Sequence, residues 1–171
     1  WRRMEPSLPG EWRLVIAGAT QGWTPAGYVR ELQSAAQGSR IDLRFDIPHD
    51  EVRKLMAQSS LFWHFAGMGV DALRKHQLFE HFGLSAVEAM RSGCVPVLFK
   101  GGGFMDIVAD PGHDGVLVKD LDEAIAATSR LIQNPADRTT MDKTARQSSE
   151  RYSLRSFEDR VEKLINELPR V

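Results

Sequence analysis

Five short apolar runs recur along this chain, separated by stretches whose apolar residues repeat with helical period. Residues 12–17, ending at Gly18, and residues 41–45, 61–65, 95–99 and 116–118 are the runs. Segments of this length, rich in β-branched and aromatic residues and bounded by glycine or turn residues, read as strands. Residues 12–17 are expected to be buried, whereas residues 41–45 alternate apolar and polar as a strand near an edge does. The first intervening helix starts with Thr24 as a hydroxyl N-cap and Pro25 at the first helical position. It turns Tyr28, Val29, Leu32, Ala35 and Ala36 inward and stops at Gly38. Residues 49–58 carry Val52, Leu55 and Met56 at helical spacing, residues 84–91 form a helix stopped by Gly93, and residues 104–109 form a short one. Beyond the fifth strand the chain is helical over about residues 121–168, broken at Pro135, with the first of these helices packing through Leu121, Ala124, Ile125, Leu131 and Ile132. Strands that alternate with helices imply an α/β fold, an open, doubly wound parallel sheet with helices on both faces, because parallel neighbours need a crossover connection.

The 171 residues suit one domain with a substantial core. Their 42% hydrophobic and 26% charged content is that of a soluble globular chain. A net charge of -1 supplies no field that would recruit nucleic acid or an acidic membrane. The single cysteine, Cys94, precludes an internal disulfide and is expected to be a small buried hydrophobe at the start of a strand. No apolar stretch approaches the roughly 18 residues of a membrane span, and the N-terminus is not a signal peptide. A cytoplasmic setting is expected, with peripheral membrane attachment of a longer protein left open. The chain lacks an initiator methionine and opens abruptly, so it is expected to be part of something longer.

In an open parallel sheet, ligands bind beyond the carboxyl ends of the strands. The richest such segment is residues 80–88, Glu-His-Phe-Gly-Leu-Ser-Ala-Val-Glu. Gly83 permits close approach of the backbone to a ligand, and the amides around Phe82, Gly83, Leu84 and Ser85 form an anion site at a helix N-terminus. Glu88 could then accept two hydrogen bonds from a ribose diol, with Glu80 meeting a sugar on the other side of the amides. The same spacing fits a plainer reading: Ser85-x-x-Glu88 is also a capping box, and Glu80 a solvated loop acid.

Glu80 and Glu88, with Phe82-Gly83-Leu84 between them and Ala89-Met90 after, resemble the E-x7-E motif of the retaining GT-B glycosyltransferases of family 4. Residues 12–18, residues 93–97 followed by Gly102-Gly103 and Ile107-Val108, and Gly112 with residues 115–118 resemble other stretches of that family, in the same order. The resemblance implies a Rossmann-like C-terminal domain of a GT-B enzyme, one domain over residues 1–171, whose N-terminal acceptor-binding domain is absent. It implies that Glu80 contacts donor-sugar hydroxyls and serves catalysis. The backbone of Phe82, Gly83 and Leu84 would hold sugar and diphosphate, Glu88 the ribose, and the main chain at Ile47 the base. No metal or other cofactor is implied, and no metal-ligand cluster stands out. His64, ending a strand on the ligand side, is a donor-binding candidate and equally a structural histidine. Asp106 stands where the family commonly has Glu, and either a role near the sugar or helix capping fits it.

Two departures bear on activity, the absence of the acceptor-binding domain and of a basic pair, and a long loop is a third difference. The basic pair that the family places on the diphosphate falls upstream of Trp1, and Arg2 and Arg3 are assigned instead to a following helix. The long segment 66–79, with Asp71, Arg74, Lys75 and His76, is expected to be a loop beside the sugar end. The glycine run 101–103 reads as a tight turn, and no Lys-Ser/Thr follows to make it a phosphate loop. The four tryptophans are expected to pack, Trp23 least so, and the amphipathic residues 151–171 to present an apolar face to a missing intramolecular partner. The expected reaction is hexosyl transfer from a nucleotide diphosphate sugar to an alcohol, with the acceptor unidentified and the fragment alone inactive. Two competitors are a nucleotide-sugar epimerase on the same fold, which would turn over donor alone, and a non-catalytic docking domain, in which Glu80→Ala and Glu88→Ala would alter only stability.

Overall fold

The computed structural model describes residues 1–20, 25, 27–71 and 75–167. Their order is β1 (Leu14–Gly18), α1 (Tyr28–Ala36), β2 (Ile41–Phe45), α2 (His49–Gln58), β3 (Leu61–His64), α3 (Leu84–Ser92), β4 (Val95–Phe99), α4 (Phe104–Ile107), β5 (Val116–Val118), α5 (Leu121–Gln133), α6 (Pro135–Ser149) and α7 (Leu154–Glu167). Single 3-10 turns lie at Glu5–Ser7, His76–Leu78 and Glu150–Tyr152. All strand pairings are parallel. The chain forms two compact units, residues 1–55 and 56–171. Hydrogen bonding follows the same division, pairing β1 with β2 and placing β4 between β3 and β5.

In the first unit, β1 is only half-buried at Leu14, Val15 and Ile16 and exposed at Ala17 and Gly18, not the buried strand expected. A two-stranded ribbon has little cover here, because α1 turns only Val29, Leu32 and Ala36 inward, while Tyr28 and Ala35 are exposed. The Thr24 cap of this helix, like Trp23 and Arg74, lies outside the described residues. Arg2 and Arg3 sit in a turn rather than a helix: Met4 and Glu5 both donate to the Trp1 carbonyl, at 2.9 Å, and Pro6 has no N–H to continue the ladder. That turn is fastened by Glu5, whose carboxylate accepts from the Ser39 hydroxyl and the Arg40 amide and pairs with Arg40 Nε at 3.2 Å. The Ser39 and Arg40 hydrogen bonds hold the Glu5 carboxyl down at about 2.

In the second unit the period-2 pattern of the strands builds two cores. Leu61, Trp63, Val95, Val97, Val116 and Val118 face Ala124 and Leu131 of α5 and Met141 of α6. Phe62, Leu98 and Leu117 face Ala86, Val87 and Met90 of α3, with Phe104 and Ile107 of α4 and Ala145 of α6. Helices on both faces make this the doubly wound arrangement expected of the alternation. Trp63 satisfies its indole N–H on the hydroxyl of buried Thr128 at 3.0 Å. Cys94 is fully buried, with its Sγ 3.1 Å from the Met56 carbonyl, and burial pushes its thiol up to about 12. Gly93, at φ 97, ends α3 in the left-handed conformation that glycine adopts without strain. The short helix after the glycine run stops at Ile107, earlier than expected. There Arg151 donates to the carbonyls of Asp106, at 2.7 Å, and Ile107. Leu121, expected to pack, is exposed because it is the first residue of α5.

Along α7, Leu154, Phe157, Val161, Leu164 and Ile165 are exposed. Among the described residues no helix is long and apolar enough to cross a membrane. The burial contrast sets two expected outcomes in urea denaturation of the chain. Leu98→Ala, at a fully buried site, should cost about 2–5 kcal/mol. Leu164→Ala, at a site 60% exposed, should stay within about 0.5 kcal/mol.

Candidate functional site

The carboxyl end of β3 and the entry to α3 meet through one histidine–carboxylate contact and a set of amides. Gly83 is the N-cap of α3, at φ 84, and no side chain caps the helix there. The capping box would require Ser85 at that position. Ser85 is instead the second helical residue, so the box is not formed. Both Ala86 and Val87 donate to the Gly83 carbonyl, at 2.9 and 3.2 Å. The N–H groups of Leu84 and Ser85 are thus the first-turn donors that a helix cannot satisfy internally.

Glu80 bends back over this entry. Its Oε1 accepts from the amides of Phe82, at 3.1 Å, and Gly83, at 3.0 Å. Its Oε2 lies 3.7 Å from His64 Nε2. Desolvation pushes the carboxyl up, but the Phe82 and Gly83 amides, His64 and the His81 amide together push it further down, so its net position is below the usual glutamate range. The His64 ring packs edge-on against Phe104, with centroids 4.9 Å apart, and its Nδ1 accepts from the Ala66 amide at 3.4 Å. Burial lowers its pKa in spite of the neighbouring carboxylate. The ring is neutral at pH 7 and turns its Nε2 side toward Glu80.

Glycines 102 and 103 set the position of this loop. Gly103 N–H donates to the Glu80 carbonyl at 2.8 Å. A Cβ on Gly102 would strike that carbonyl, and one on Gly103 would strike the His81 carbonyl and come within 2.9 Å of the Phe82 nitrogen. A Cβ on Gly83 would lie 2.6 Å from Ile107 Cδ1. The glycine run is therefore a surface on which residues 80–83 rest, a contact between segments that the turn reading of the sequence does not contain. On the outer side, Phe82 packs edge-on against Tyr152, at 5.9 Å, and Tyr152 donates to the Asp106 carbonyl at 2.9 Å. In segment 66–79, Phe79 anchors the loop against Phe99, at 5.9 Å, and against Gly67.

The second unit thus brings His64, Glu80, Phe82, Gly83 and Leu84 together, with Glu88 one turn along α3 and half-buried. Ile47 belongs to the first unit, directly after β2. Sequence reasoning did not read the contact that its neighbour makes there. Asp46 has φ 53 and accepts from both the amide, at 2.8 Å, and the hydroxyl of Thr20. Nothing in the local sequence marks that pair, since the partners are far apart along the chain. Among the described residues no three His, Cys, Asp or Glu side chains are grouped to hold a metal ion.

The sequence profile of the family described as glycosyl transferases group 1 matches residues 3–148. The chain belongs to this family. Within it, the chain is 26% identical over 127 residues to the GDP-mannose:cellobiosyl-diphosphopolyprenol alpha-mannosyltransferase of Xanthomonas oryzae, covering 74% of this chain and 30% of the relative. It is 22% identical over 160 residues to a GDP-Man:Man(3)GlcNAc(2)-PP-Dol alpha-1,2-mannosyltransferase of Dictyostelium discoideum, covering 91% of this chain and 30% of the relative. The chain therefore spans under a third of the length of these relatives. The crystal structure of Anabaena HepE in complex with UDP superposes with a TM-score of 0.76 at 22% identity, over 95% of this chain and 43% of that one. A C-terminal domain of a glycosyl transferase group 1 family protein from Francisella tularensis gives 0.65 at 15% identity, over 88% of this chain and 91% of that one. At these identities the superpositions establish the group 1 fold.

Two outcomes test the geometry of this site. Gly103→Ala should lower stability by about 1–3 kcal/mol in urea, because the obstacle it meets is backbone. The second is a pH dependence. The His64 pKa is lower in the folded state than its ordinary 6.5, so the unfolded chain takes up the proton first. The stability this lends is complete above about pH 6.5 and is lost as the pH falls toward the folded value. Glu80, also lowered, adds a loss of the same sign further down. The thermal midpoint should accordingly fall between about pH 7.5 and about pH 5.5 more steeply in the wild type than in His64→Gln. Parallel curves would remove the histidine from this role.

Proposed function

We propose that this chain is the donor-binding, C-terminal domain of a GT-B glycosyltransferase of family 4, and that the longer enzyme transfers a hexosyl unit from a nucleotide diphosphate sugar to an alcohol with retention at the anomeric carbon. The observation that carries the proposal is the α3 entry, where first-turn amides at Leu84 and Ser85 stand beside Glu80, a carboxylate held ionised. In this reading the amides receive the diphosphate and stabilise the charge that develops on it as it leaves. Glu80 faces sugar hydroxyls and the positive charge growing on the ring, with His64 beside it. Glu88 takes the ribose, and the Ile47 main chain the base. The proposal assigns no metal cofactor, because the amide donors take up the diphosphate charge. Support comes from the relatives whose names specify GDP-mannose and from the HepE structures, one with UDP and one with UDP-glucose. The Francisella domain, of similar extent and fold, supports the C-terminal assignment.

The acid–nucleophile pair of retaining glycosidases does not fit this reading, since Glu80 is engaged by its own loop amides. The leaving diphosphate is instead proposed to assist the acceptor hydroxyl directly. The deciding experiment is the thermal midpoint of the chain against UDP, GDP, ADP and their sugars, for wild type and Glu88→Ala. A ligand at 100 times its Kd adds about 2.7 kcal/mol. One nucleotide series should stabilise the wild type and lose most of its effect in Glu88→Ala. Absence of any shift at millimolar ligand, here and in the longer protein, would favour the docking-domain reading.

A further inference from the structure

The geometry points to Asp46 as a positioning residue for the nucleobase: clamped to Thr20, it fixes the main chain of Ile47 as a rigid donor–acceptor pair that meets the edge of the base. This rests on the donor-binding reading above and deepens it at the base.

Three observations within the first unit carry it. Among the described residues Asp46 is the only non-glycine with positive φ, at 53. Asp is among the few residues with a Cβ that enter this region, because its short carboxylate can hydrogen-bond to nearby backbone. The surroundings here are explicit. Asp46 N–H closes the β1–β2 ladder on the Gly18 carbonyl at 3.0 Å, and its carboxylate takes both the amide and the hydroxyl of Thr20. These Thr20 hydrogen bonds lower the Asp46 pKa, so the clamp is closed at neutral pH. The carboxyl ends of β1 and β2, where an open parallel sheet receives its ligand, are thereby tied together.

Ile47, half-buried, directly follows this clamp. Among the described residues neither its N–H nor its C=O has a hydrogen-bond partner. Pro48 follows, restricting Ile47 to extended conformations, and the Pro48 carbonyl accepts from Glu51, at 2.9 Å, and Val52 as α2 begins. Ile47 is thus held from both sides while its polar main-chain groups stay unpaired among the described residues. Uracil, guanine and adenine each present a donor beside an acceptor on their pairing edge, which one N–H and one C=O can match. The device locates a base without choosing among them.

The test uses the 171-residue chain, with Asp46→Gly, Asp46→Asn and Thr20→Val. Glycine accepts the backbone conformation, so Asp46→Gly removes the clamp without adding strain. Asn also tolerates it and keeps an acceptor for the Thr20 amide. Affinity for UDP, GDP and ADP is measured by calorimetry, inorganic pyrophosphate serves as the ligand without a base, and urea denaturation is run in parallel. The Ile47 amide resonance is followed by NMR. Asp46→Gly and Thr20→Val should bind the preferred nucleoside diphosphate about tenfold more weakly, from lost preorganisation, with Asp46→Asn nearer wild type. Pyrophosphate affinity should be unchanged, and the Ile47 amide should shift with the nucleotide but not with pyrophosphate. Unchanged nucleotide affinity in Asp46→Gly overturns the inference and leaves the donor reading standing, as does an equal loss for pyrophosphate. A wild type that binds no nucleotide, both as this chain and in the longer protein, overturns both.

Discussion

The site depends on one close approach between two backbones. Residues 80–83 lie on glycines 102 and 103 at a separation that leaves no room for a Cβ, and the Gly103 amide holds the Glu80 carbonyl. Because that loop leads directly into α3, the contact sets where the helix begins and which amides remain unpaired. Since α4 starts from the same glycines, Phe104 and Ile107 are carried under the loop, and Phe104 in turn supplies the wall against which His64 packs. Glycine is required here for space as much as for conformation, which is why two of them adjoin.

Electrostatics follow from that placement. A carboxylate resting on two amides beside a neutral imidazole is ionised yet partly desolvated, and such a group responds strongly to charge appearing nearby. Glu80 faces a competition, because the amides that hold it belong to the same entry proposed to receive a diphosphate. In the first unit, Asp46 shows the same economy: a single carboxylate closes the ends of two strands and leaves the neighbouring main chain unpaired among the described residues.

Membership of the glycosyl transferases group 1 family and the site geometry rest on separate observations. The family profile covers residues 3–148 and stops before α7. That helix carries an apolar face which the second unit leaves uncovered. The core of the second unit closes without it, through α3, α4, α5 and α6 against the sheet.

The sequence by itself determined the alternation of strands and helices, and with it the parallel pairing. Strands β4 and β5 and helices α2 and α5 begin and end where turn residues and apolar period place them, because those signals are local. It also marked Glu80, Gly83 and Glu88, since a glycine-preceded helix flanked by acids is legible as a pattern. What only the tertiary structure decided is everything that needs two distant segments. The half-exposure of β1 reflects how little α1 offers to cover it. The N-cap passed to Gly83 rather than Ser85 because the loop is laid on the glycine run. His64 meets Glu80 because the loop into α3 rests on the glycine run, and Thr20 meets Asp46 because the parallel strands β1 and β2 bring their carboxyl ends side by side. No window of sequence contains that adjacency, for it arises from hydrogen bonds between strands that the chain itself keeps far apart.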